Sequence, residues 1–591
     1  MPFIASLLVL VFASLLTASA NNVGSVPQSI LQDGGEWVTE RKQHNVVFIM
    51  SDDLDLQLNS VEYMPLMRKY IAEQGSFFRN HFVTTALCCP SRVSLWTGRQ
   101  AHNTNVTDVN PPFGGFPKFI QQGFNSEYLP VWLQQAGYDT YYVGKMFNWH
   151  NIDNYHSPHL AGFTGSDFLL DPYTYSYMNS TYQRNHDRPV SYEGMHTSDV
   201  FAEKALGFLD DAIISGNPFF IGLSPVAPHS NIDSNTGGAS AHMTAPVPCE
   251  RHAHLFEDVI VPRTPHFNPS ESSGVNWISR LKQQDQNNVD YNDHFYRSRL
   301  RALQSIDELV ESVIQRLAEA NLLDDTYVIF TSDNGYHIGQ HRLQPGKECG
   351  FEEDIRVPLF IRGPNVSRNE TIDAVTTHID LAPTIFRMGD IELREDFDGT
   401  PLPLFYGANK THMDIRHEHV TVEYWGIAIP EGDYGPTSDI VRNNTYKALR
   451  IIGDDYNLYY SVWCTNEHEL YDLNNDPFQM HNIYEGFSSG QHAENTTILG
   501  YAQSLVIDRL DALLMVLKSC KGSACVQPWA VLHPDNSVHS LRDALESRFN
   551  SFYHRQNKVS FNWCEEGYII DAEGPQDAYV FRNGLSWHEW A

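Results

Sequence analysis

The sequence predicts an α/β protein in which a large sheet is covered by helices on both faces and is followed by a smaller C-terminal α+β subdomain. Three short apolar runs, at residues 45–50 (NVVFIM), 219–223 (FFIGL) and 326–331 (TYVIFT), each end abruptly at polar residues. Apolar residues recur at helical spacing from Leu303 to Leu317 and lead directly into the third run. This alternation of strand and helix is typical of a sheet whose two faces are both buried.

The chain is long enough to form two unequal parts. It has 591 residues, and a single core stops growing at about 250–300 residues. The pattern changes after residue 443, where strand-like segments precede a helical spacing from Leu505 to Leu517. We therefore assign residues 21–443 to the domain that carries the chemistry and residues 444–591 to a C-terminal subdomain. A loop-rich stretch at residues 230–273 is expected to be an insertion beside the cleft.

The N-terminus predicts export. Residues 1–20 contain one apolar run and end in Ala18-Ser19-Ala20, the small-x-small pattern of a cleaved signal peptide. The run is shorter than the ~20 residues that span a bilayer, and no later stretch is expected to do so. Seven Asn-x-Ser/Thr sequons support export, at Asn105, Asn179, Asn365, Asn369, Asn409, Asn443 and Asn495. The sequence thus indicates a secreted, N-glycosylated protein.

The charge of the chain restricts its partners. The composition, with 42% hydrophobic residues, is that of an ordinary globular protein, but the formal net charge is −32. Such a field argues against a nucleic-acid partner. It also slows the encounter with highly anionic polymers unless the cleft is locally basic, and it affects small anions least.

Polar residues follow each of the three predicted strands. Asp52 and Asp53 follow the first, His229 lies in the loop after the second, and Asp333 and Asn334 follow the third. Ligands of α/β sheets bind at the carboxyl ends of strands, so these groups are expected to meet at one edge. Three carboxylates and one amide suit a hard cation, and Ca²⁺ is the natural choice. Taken singly, Asp-Asp and Asp-Asn-Gly are more often ordinary turns and caps than metal ligands.

The most specific motif is residues 88–99, CCPSRVSLWTGR. Because Pro90 suits the first turn of a helix, Cys88 is expected at a helix N-terminus, where free N–H groups and the dipole favour an anion. Arg92 lies one turn further on. Two adjacent cysteines alone would favour a buried or disulfide-bonded pair, so the whole motif decides the interpretation.

Cys-x-Pro-Ser-Arg followed by Thr-Gly-Arg resembles the signature of the formylglycine-dependent sulfatases. Its Cys-Cys-Pro-Ser-Arg form is similar to fungal and algal arylsulfatases and to N-acetylglucosamine-6-sulfatase. Further similar segments, at residues 351–358 and 469–477, extend the resemblance over roughly residues 44 to 482. It implies an alkaline-phosphatase-like fold with a large mixed sheet. It also implies that a formylglycine-generating enzyme oxidises Cys88 to formylglycine (3-oxoalanine) during secretion.

The resemblance implies a role for each residue of the site. One Ca²⁺ ion per chain is expected at Asp52, Asp53, Cys88, Asp333 and Asn334. The catalytic groups are expected to be Cys88, Arg92, Lys145, His229 and Lys347. A hydrated aldehyde at residue 88 offers one hydroxyl to attack sulfur and a second to release sulfate by reforming the carbonyl. The cationic side chains stabilise the developing charge, and His229 donates a proton to the leaving group.

One position departs from the family pattern. Many sulfatases have Lys-x-His at the first lysine, whereas this chain has Lys145-Met146-Phe147-Asn148. Asn148 is a polar substitute that cannot act as a base at neutral pH. The identity of the group that accepts the hydroxyl proton when the sulfated intermediate breaks down is therefore left open.

The remaining cysteines are expected to form disulfides, as is usual in secreted proteins. If Cys88 is modified, the odd cysteine is its neighbour Cys89. Cys520 and Cys525 are close enough in sequence to close a small loop. The connectivity among Cys249, Cys349, Cys464, Cys520, Cys525 and Cys564 is left open.

Three functions remain to be separated. The first is a secreted arylsulfatase that hydrolyses small sulfate monoesters, which the acidity of the chain favours. The second is a sulfatase acting on carbohydrates such as N-acetylglucosamine-6-sulfate, and some similar proteins cleave phosphonate or phosphate esters instead. The third is a secreted glycoprotein that binds sulfate esters without turnover, which only the missing histidine supports.

Overall fold

The computed structural model describes residues 43–232, 243–404, 417–434, 441–484 and 497–582. The predicted signal peptide therefore lies outside the described residues, as do the sequons at Asn409 and Asn495. The strands, numbered in chain order, are β1 (Asn45–Ser51), β2 (Ser76–Phe82), β3 (Asp139–Gly144), β4 (Gly165–Leu169), β5 (Thr181–Arg184), β6 (Val190–Ser191), β7 (Phe219–Ser224), β8 (Asn231–Ile232), β9 (Met243–Thr244), β10 (Thr326–Ser332), β11 (Leu359–Arg362), β12 (Glu370–Thr377), β13 (His419–Tyr424), β14 (Tyr446–Ile452), β15 (Asn457–Trp463), β16 (His468–Asp472), β17 (Thr497–Ile498) and β18 (Tyr501–Ala502).

The α-helices of the described residues range from single turns to one of 34 residues. They are α1 (Pro65–Met67), α2 (Cys88–Thr97), α3 (Ala101–Thr104), α4 (Gly115–Gln121), α5 (Leu129–Gln135), α6 (Thr197–Ser215), α7 (Gln286–Glu319), α8 (Glu352–Ile355), α9 (Leu381–Met388), α10 (Gln503–Leu517), α11 (Ser523–Val526), α12 (Pro528–Leu532), α13 (Leu541–Ala544) and α14 (Asn550–His554). Within the described ranges, no helix is long and apolar enough to cross a bilayer.

A ten-stranded sheet forms the main body, in the order β12-β2-β11-β10-β1-β7-β3-β4-β5-β6. Its centre is parallel, since β1 pairs in parallel with both β10 and β7, and β3 pairs in parallel with β7 and β4. Antiparallel pairs of β10 with β11 and of β4 with β5 make the sheet mixed. The predicted α/β fold with a large mixed sheet is therefore confirmed, and the three predicted strands are β1, β7 and β10.

The central strands β1, β7 and β10 are buried on both faces, which explains why they are nearly continuous apolar runs rather than alternating ones. On one face Val46, Phe48 and Met50 pack with residues of α2, α5 and α9. On the other face Val47 and Ile49 pack with residues of α6 and α7. The helical spacing seen from Leu303 to Leu317 is the buried stripe of α7.

A second sheet, β13-β14-β15-β16, is antiparallel throughout and packs against α10 and the helices that follow it. Its first strand precedes residue 444, so this sheet includes a strand from the segment that we assigned to the N-terminal domain. Its other face contributes Tyr446 and Trp463 to a cluster with Phe82, the last residue of β2, and with Leu87, which directly precedes α2. The second sheet thus supports the segment that leads to Cys88.

The disulfides correct part of the cysteine prediction. Cys464 pairs with Cys564, and Cys520 pairs with Cys525, as the short loop predicted. Cys249 and Cys349 are free, buried thiols, so the expectation that they form disulfides was wrong. Each has its own surroundings: Cys249 accepts a hydrogen bond from Ser305 on α7, while Cys349 lies beside His337 and Asp354. Cys89 is free, as expected.

Candidate active site

Four parallel strands deliver side chains to one edge of the large sheet. β1 ends before Asp52 and β10 ends before Asp333, and the two strands are in register through Ser51 and Ser332. β7 runs into the loop that carries His229, and β3 ends before Lys145. Gly144 has φ of +101°, and a Cβ there would lie 2.1 Å from the carbonyl oxygen of Ser224. Glycine therefore permits the close approach of β3 and β7 that turns Lys145 toward the carboxylates.

Helix α2 directs its N-terminus at the same point. Leu87 is its N-cap and offers no side-chain cap, and Cys88 is the first residue of the helix. The Arg92 guanidinium, fully buried one turn later, donates from Nε to Asp333 Oδ2 at 2.8 Å and from Nη1 to the Lys145 carbonyl at 2.5 Å. Ser91 donates to the Asp333 carbonyl at 2.5 Å. The helix is thus fixed to β10 and β3 by its first turn.

The acidic residues form one cluster with two lysines. Lys145 Nζ lies 2.6 Å from Asp52 Oδ2, and Lys347 Nζ lies 2.6 Å from Asp53 Oδ1. Asp333 Oδ1 accepts from the backbone N–H groups of Asp53 and Asn334, both at 3.0 Å. Burial opposes charge on both lysines, but the adjacent carboxylates outweigh it and raise the pKa of Lys145 and of Lys347 well above the usual range. Both side chains are therefore ammonium groups at neutral pH.

The oxygen atoms of this cluster fit a hard cation. Asp52, Asp53 and Asp333 are fully buried, and burial together with Asp333 raises the pKa of Asp52 to about 7. The buried amide oxygen of Asn334 receives no hydrogen bond from any described residue, while its Nδ2 donates to Asp53 Oδ1 at 2.7 Å. Crowded carboxylates and an amide oxygen without a donor are what an oxygen-liganded cation would satisfy.

Cys88 lies within this cluster. Its Sγ is 3.6 Å from Asp52 Oδ1, 4.0 Å from Asp53 Oδ1 and 3.4 Å from Lys347 Nζ. Burial raises the pKa of the Cys88 thiol well above the usual value, despite the nearby lysines. Since the thiolate is the nucleophilic form of cysteine, an unmodified Cys88 is a poor nucleophile here.

His229 faces the cluster with one ring nitrogen. Nδ1 is 2.8 Å from the Ser230 carbonyl oxygen and must donate to it, and Nε2 lies 3.6 Å from Asp53 Oδ2. Its ring stacks on Tyr175 with 4.0 Å between centroids. Burial lowers the pKa of His229 to about 4, against the opposite influence of Asp53. The imidazole is therefore neutral at neutral pH.

Two buried residues that sequence reasoning missed hold the site together. Arg299 on α7 donates to the Asp53 carbonyl at 2.5 Å and to Asp55 Oδ1 at 3.1 Å, and it is fully buried. The sequence contained an indication of its burial, because Arg299 lies four residues before Leu303 and therefore on the buried stripe of α7. Glu431, 3.8 Å from Lys347 Nζ, accepts from the Tyr336 hydroxyl at 2.7 Å. Glu431 lies in the loop between β13 and β14, where no periodic pattern in the sequence indicates that it is buried.

Three residues near the motifs serve as supports. Asn148, at the departure from the family pattern, donates to the Tyr175 hydroxyl at 2.7 Å. His337 contacts Asp354 at 2.8 Å, and His341 contacts the Ser273 hydroxyl at 2.6 Å. All three are thus anchored to side chains outside the carboxylate cluster.

The fold and this site define an α/β protein that gathers cationic side chains and buried carboxylates at one edge of its large sheet. The sulfatase family profile matches residues 44–391, and a profile of the C-terminal region of N-sulphoglucosamine sulphohydrolase matches residues 339–497. An arylsulfatase from Volvox carteri is 38% identical over 551 residues, 88% of this chain and 81% of the relative. The N-acetylglucosamine-6-sulfatase of Capra hircus is 30% identical over 82% of this chain and 85% of its own length. The chain belongs to the sulfatase family and is a sulfuric ester hydrolase.

Solved structures share the fold at lower identity. A protein solved in complex with its substrate, D-glucosamine-2-N,6-O-disulfate, has a TM-score of 0.58 at 22% identity, covering 75% of this chain and 94% of that chain. A protein of glycosaminoglycan metabolism from Bacteroides thetaiotaomicron has a TM-score of 0.60 at 16% identity, covering 83% and 98%. The predicted alkaline-phosphatase-like architecture is confirmed by this likeness.

Proposed function

We propose that this sulfatase hydrolyses aryl sulfate monoesters through a formylglycine formed from Cys88. The observation that carries the proposal is the position of Cys88 at the N-terminus of α2, within 4.0 Å of Asp52, Asp53 and Lys347. Sulfate bound there would meet the free N–H groups of the first helical turn and two ammonium groups. The chemistry requires a better nucleophile than the buried thiol.

Oxidation of Cys88 to an aldehyde by a formylglycine-generating enzyme, which would provide the oxidant and remove the cysteine sulfur, would supply that nucleophile as a hydrate. One hydrate oxygen attacks sulfur while the bond from sulfur to the ester oxygen breaks, and the departing oxygen takes a proton. Residue 88 then carries the sulfate. Loss of the proton from its second hydroxyl reforms the carbonyl and expels sulfate, and water restores the hydrate.

The side chains around residue 88 would each stabilise one part of this sequence. Lys145 and Arg92, which both contact Asp52, would balance the charge of the sulfuryl oxygens. His229 and Lys347 face the leaving oxygen, and the anionic ester would raise the proton affinity of the His229 imidazole. Asn148 is bound to Tyr175 and cannot accept a proton.

We propose Ca²⁺ as the cation of the carboxylate cluster, held by Asp52, Asp53, Asp333, Asn334 and the modified residue 88. Oxygen ligands and a flexible coordination number favour Ca²⁺ over softer metals. When bound, it would polarise the sulfate oxygens and orient the hydrate hydroxyl.

Aryl esters are proposed first because two algal relatives called arylsulfatase, from Volvox carteri and Chlamydomonas reinhardtii, are 38% and 37% identical to this chain. The second candidate is a carbohydrate sulfatase, since N-acetylglucosamine-6-sulfatases are 30% identical over more than four fifths of the chain. A binding protein without turnover is disfavoured, because Cys88, Pro90 and Arg92 are all retained.

We further propose that the enzyme is secreted and N-glycosylated. Five of the seven sequons fall in described residues, and none of their asparagines is buried: Asn105, Asn179, Asn365, Asn369 and Asn443. Each therefore offers an amide that a glycan would need. Relatives at 34% and 31% identity carry the name of extracellular sulfatases.

Mass spectrometry of the tryptic peptide that contains residue 88 tests the proposal. In natively secreted, active enzyme we expect an aldehyde or its hydrate at position 88 and a thiol at Cys89. Only position 88 has proline two residues later and arginine four residues later. An unmodified thiol or a disulfide at Cys88 in active enzyme would end this mechanism.

A further inference from the structure

A cavity of about 490 Å³ opens next to the cluster that surrounds Cys88. Lys347 forms its inner end, and Lys347 Nζ is 3.4 Å from Cys88 Sγ. Because Lys347 belongs both to the cluster around Cys88 and to the cavity lining, a sulfate ester seated at residue 88 could extend past Lys347 into this cavity. The volume is in the range of small-molecule sites. A larger concavity, about 710 Å³ around Gly123, Val131 and Gly162, has no ionisable side chain in its lining and lies away from the site.

The outer part of the cavity is basic, in a chain whose net charge is −32. Among the residues that the structure describes, Arg280, Lys282 and Arg342 line it together with one acid, Asp285. Arg280 and Lys282 are exposed and make no ion pair within 4.0 Å with any carboxylate of the described ranges. The guanidinium of Arg342 donates to the carbonyls of Pro269, Ser270 and Leu281, so its charge is held in place without a counter-ion.

The one acid does not neutralise this charge. Asp285 is the N-cap of α7, and its carboxylate accepts from the Asn288 N–H at 3.0 Å. The helix N-terminus thus already balances Asp285. Lys347, in turn, is balanced by Asp53. Three cationic side chains in the outer cavity are therefore available to a ligand.

Flat apolar groups form the wall between the basic part and Lys347. Trp277 and Ile429 line the cavity, and Tyr434 lines it with 42% of its surface exposed. The Trp277 ring is fixed by a hydrogen bond from Nε1 to Asn444 Oδ1 at 3.0 Å. An aryl or sugar ring can lie against this wall while its substituents reach the cations.

We infer that the leaving group of the preferred substrate carries a second anionic group, a carboxylate or a further sulfate, which Arg280, Lys282 and Arg342 bind. The inference rests on the proposed function, because it extends the same ester into the cavity beyond Lys347. It also meets the condition set by the acidity of the chain. The field of −32 disfavours polyanions unless the cleft is locally basic, and the cavity is locally basic.

Three chromogenic esters test the inference: 4-nitrophenyl sulfate, 3-carboxy-4-nitrophenyl sulfate and 4-nitrocatechol disulfate. For the wild type we expect a lower KM for the second and third esters than for the first. In the double variant Arg280→Gln, Lys282→Gln, the kcat/KM ratio of each dianionic ester to 4-nitrophenyl sulfate should fall about 2- to 30-fold, which is the factor expected from losing two exposed ion pairs. Comparing the two dianionic esters distinguishes a carboxylate from a second sulfate.

The matched control is the double variant Arg188→Gln, Lys521→Gln, which removes the same charge at two exposed positions outside the cavity. Its kcat/KM ratios should equal those of the wild type. Unchanged ratios in the cavity variant, or an equal fall in the control, would overturn the inference.

Binding separates the inference from the proposed function. If the wild type turns over none of the esters, the proposed function fails, and calorimetric titration of the Cys88→Ala variant with the same esters decides the inference alone. Tighter binding of the dianionic esters, lost in the cavity variant, upholds it. Equal affinity for all three esters overturns it.

Discussion

Residue 88 combines properties that no single neighbour could provide. The backbone of α2 offers free N–H groups, Lys347 offers an ammonium group at 3.4 Å, and Asp52 and Asp53 each place a carboxylate oxygen within 4.0 Å of Cys88 Sγ. These groups were separated by up to about 300 positions in the sequence, and only their types and local motifs were visible there. The motif predicted the residues, whereas the distances depend on four strand ends meeting.

His229 is predicted to act as the general acid that protonates the leaving oxygen. The variant His229→Ala should slow sulfates of poor leaving groups far more than 4-nitrophenyl sulfate, because the nitrophenolate departs without a proton. Loss of a general acid costs about 10²–10⁴ in rate. Steady-state kcat for an alkyl and a nitrophenyl sulfate measures the contrast.

Lys145→Ala is the control for that contrast. Lys145 lies on the Asp52 side of the site, so both esters should slow together, since sulfuryl charge develops with either leaving group. Equal losses for both esters in His229→Ala would instead make His229 a sulfate-binding residue and leave Lys347 or water as the proton donor.

Metal binding, and with it activity, is predicted to require each of the carboxylate ligands. Asp53→Ala and Asp333→Ala should each abolish activity, because the cation loses a ligand and the lysines gain an uncompensated charge. Chelation of the wild type should do the same, and Ca²⁺ should restore it. Metal content by plasma mass spectrometry, measured beside activity, checks both results. A demonstrably metal-free preparation with full activity would contradict the assignment.

At the scale of elements, helix α7 connects the core to the site. Its apolar stripe packs under the sheet, and Arg299 on the same stripe reaches the carbonyls of Asp53 and Pro228. The guanidinium also stacks on Tyr336 at 4.0 Å. A buried arginine with three such partners positions the β1 loop rather than contacting substrate.

Arg299→Lys should therefore weaken Ca²⁺ binding about 10- to 100-fold, the usual effect of losing an outer-shell partner. The lysine keeps the charge beside Asp55 but cannot hold both carbonyls, so the loop loses its fixed position. Calcium titration monitored by activity and by calorimetry measures the change.

Arg316→Lys is the matched control, because Arg316 lies on the same helix and pairs with Asp210 at an exposed position. Its Ca²⁺ affinity should equal that of the wild type. Unchanged affinity in Arg299→Lys would show that the hydrogen bonds from the loop after β1 to Asp333 and Ser332 hold it without Arg299.

The elements that sequence reasoning found share one property: their patterns are local. β1, β7, β10, the stripe of α7 and the start of α2 were all predicted, because apolar runs and Pro90 mark them directly. Glu431 and the pairing of β13 with β14 were not, since both depend on contacts between distant segments. The same reason explains Cys249 and Cys349, whose spacing is compatible with disulfides but whose surroundings are not.

For the whole molecule, the second sheet and the disulfides act on the site from a distance. Glu423 on β13 donates its backbone N–H to the Thr84 carbonyl, and its carboxylate contacts His102 and Lys447. Thr84 lies on the segment that leads to α2, so an intact second sheet helps to fix Cys88. The C-terminal chain is attached to this sheet through the Cys464–Cys564 disulfide.

The Cys464–Cys564 disulfide is predicted to contribute most of the stabilisation that cross-links give this fold. It closes a sequence separation of 100 residues, whereas Cys520–Cys525 closes a separation of 5. Loss of loop-closure entropy in the unfolded chain gives about 4.7 kcal/mol for the long loop and about 2 kcal/mol for the short one. Urea unfolding of the double variant Cys464→Ala, Cys564→Ala should therefore show the larger fall in the free energy of unfolding, with the double variant Cys520→Ala, Cys525→Ala as the control.

Because the long loop spans from β15 past α10, the variant without the Cys464–Cys564 disulfide should also lose part of its activity below the unfolding transition, as the second sheet loosens beside Thr84. Equal losses of stability in both variants would mean that native packing, rather than the unfolded chain, determines what these disulfides contribute.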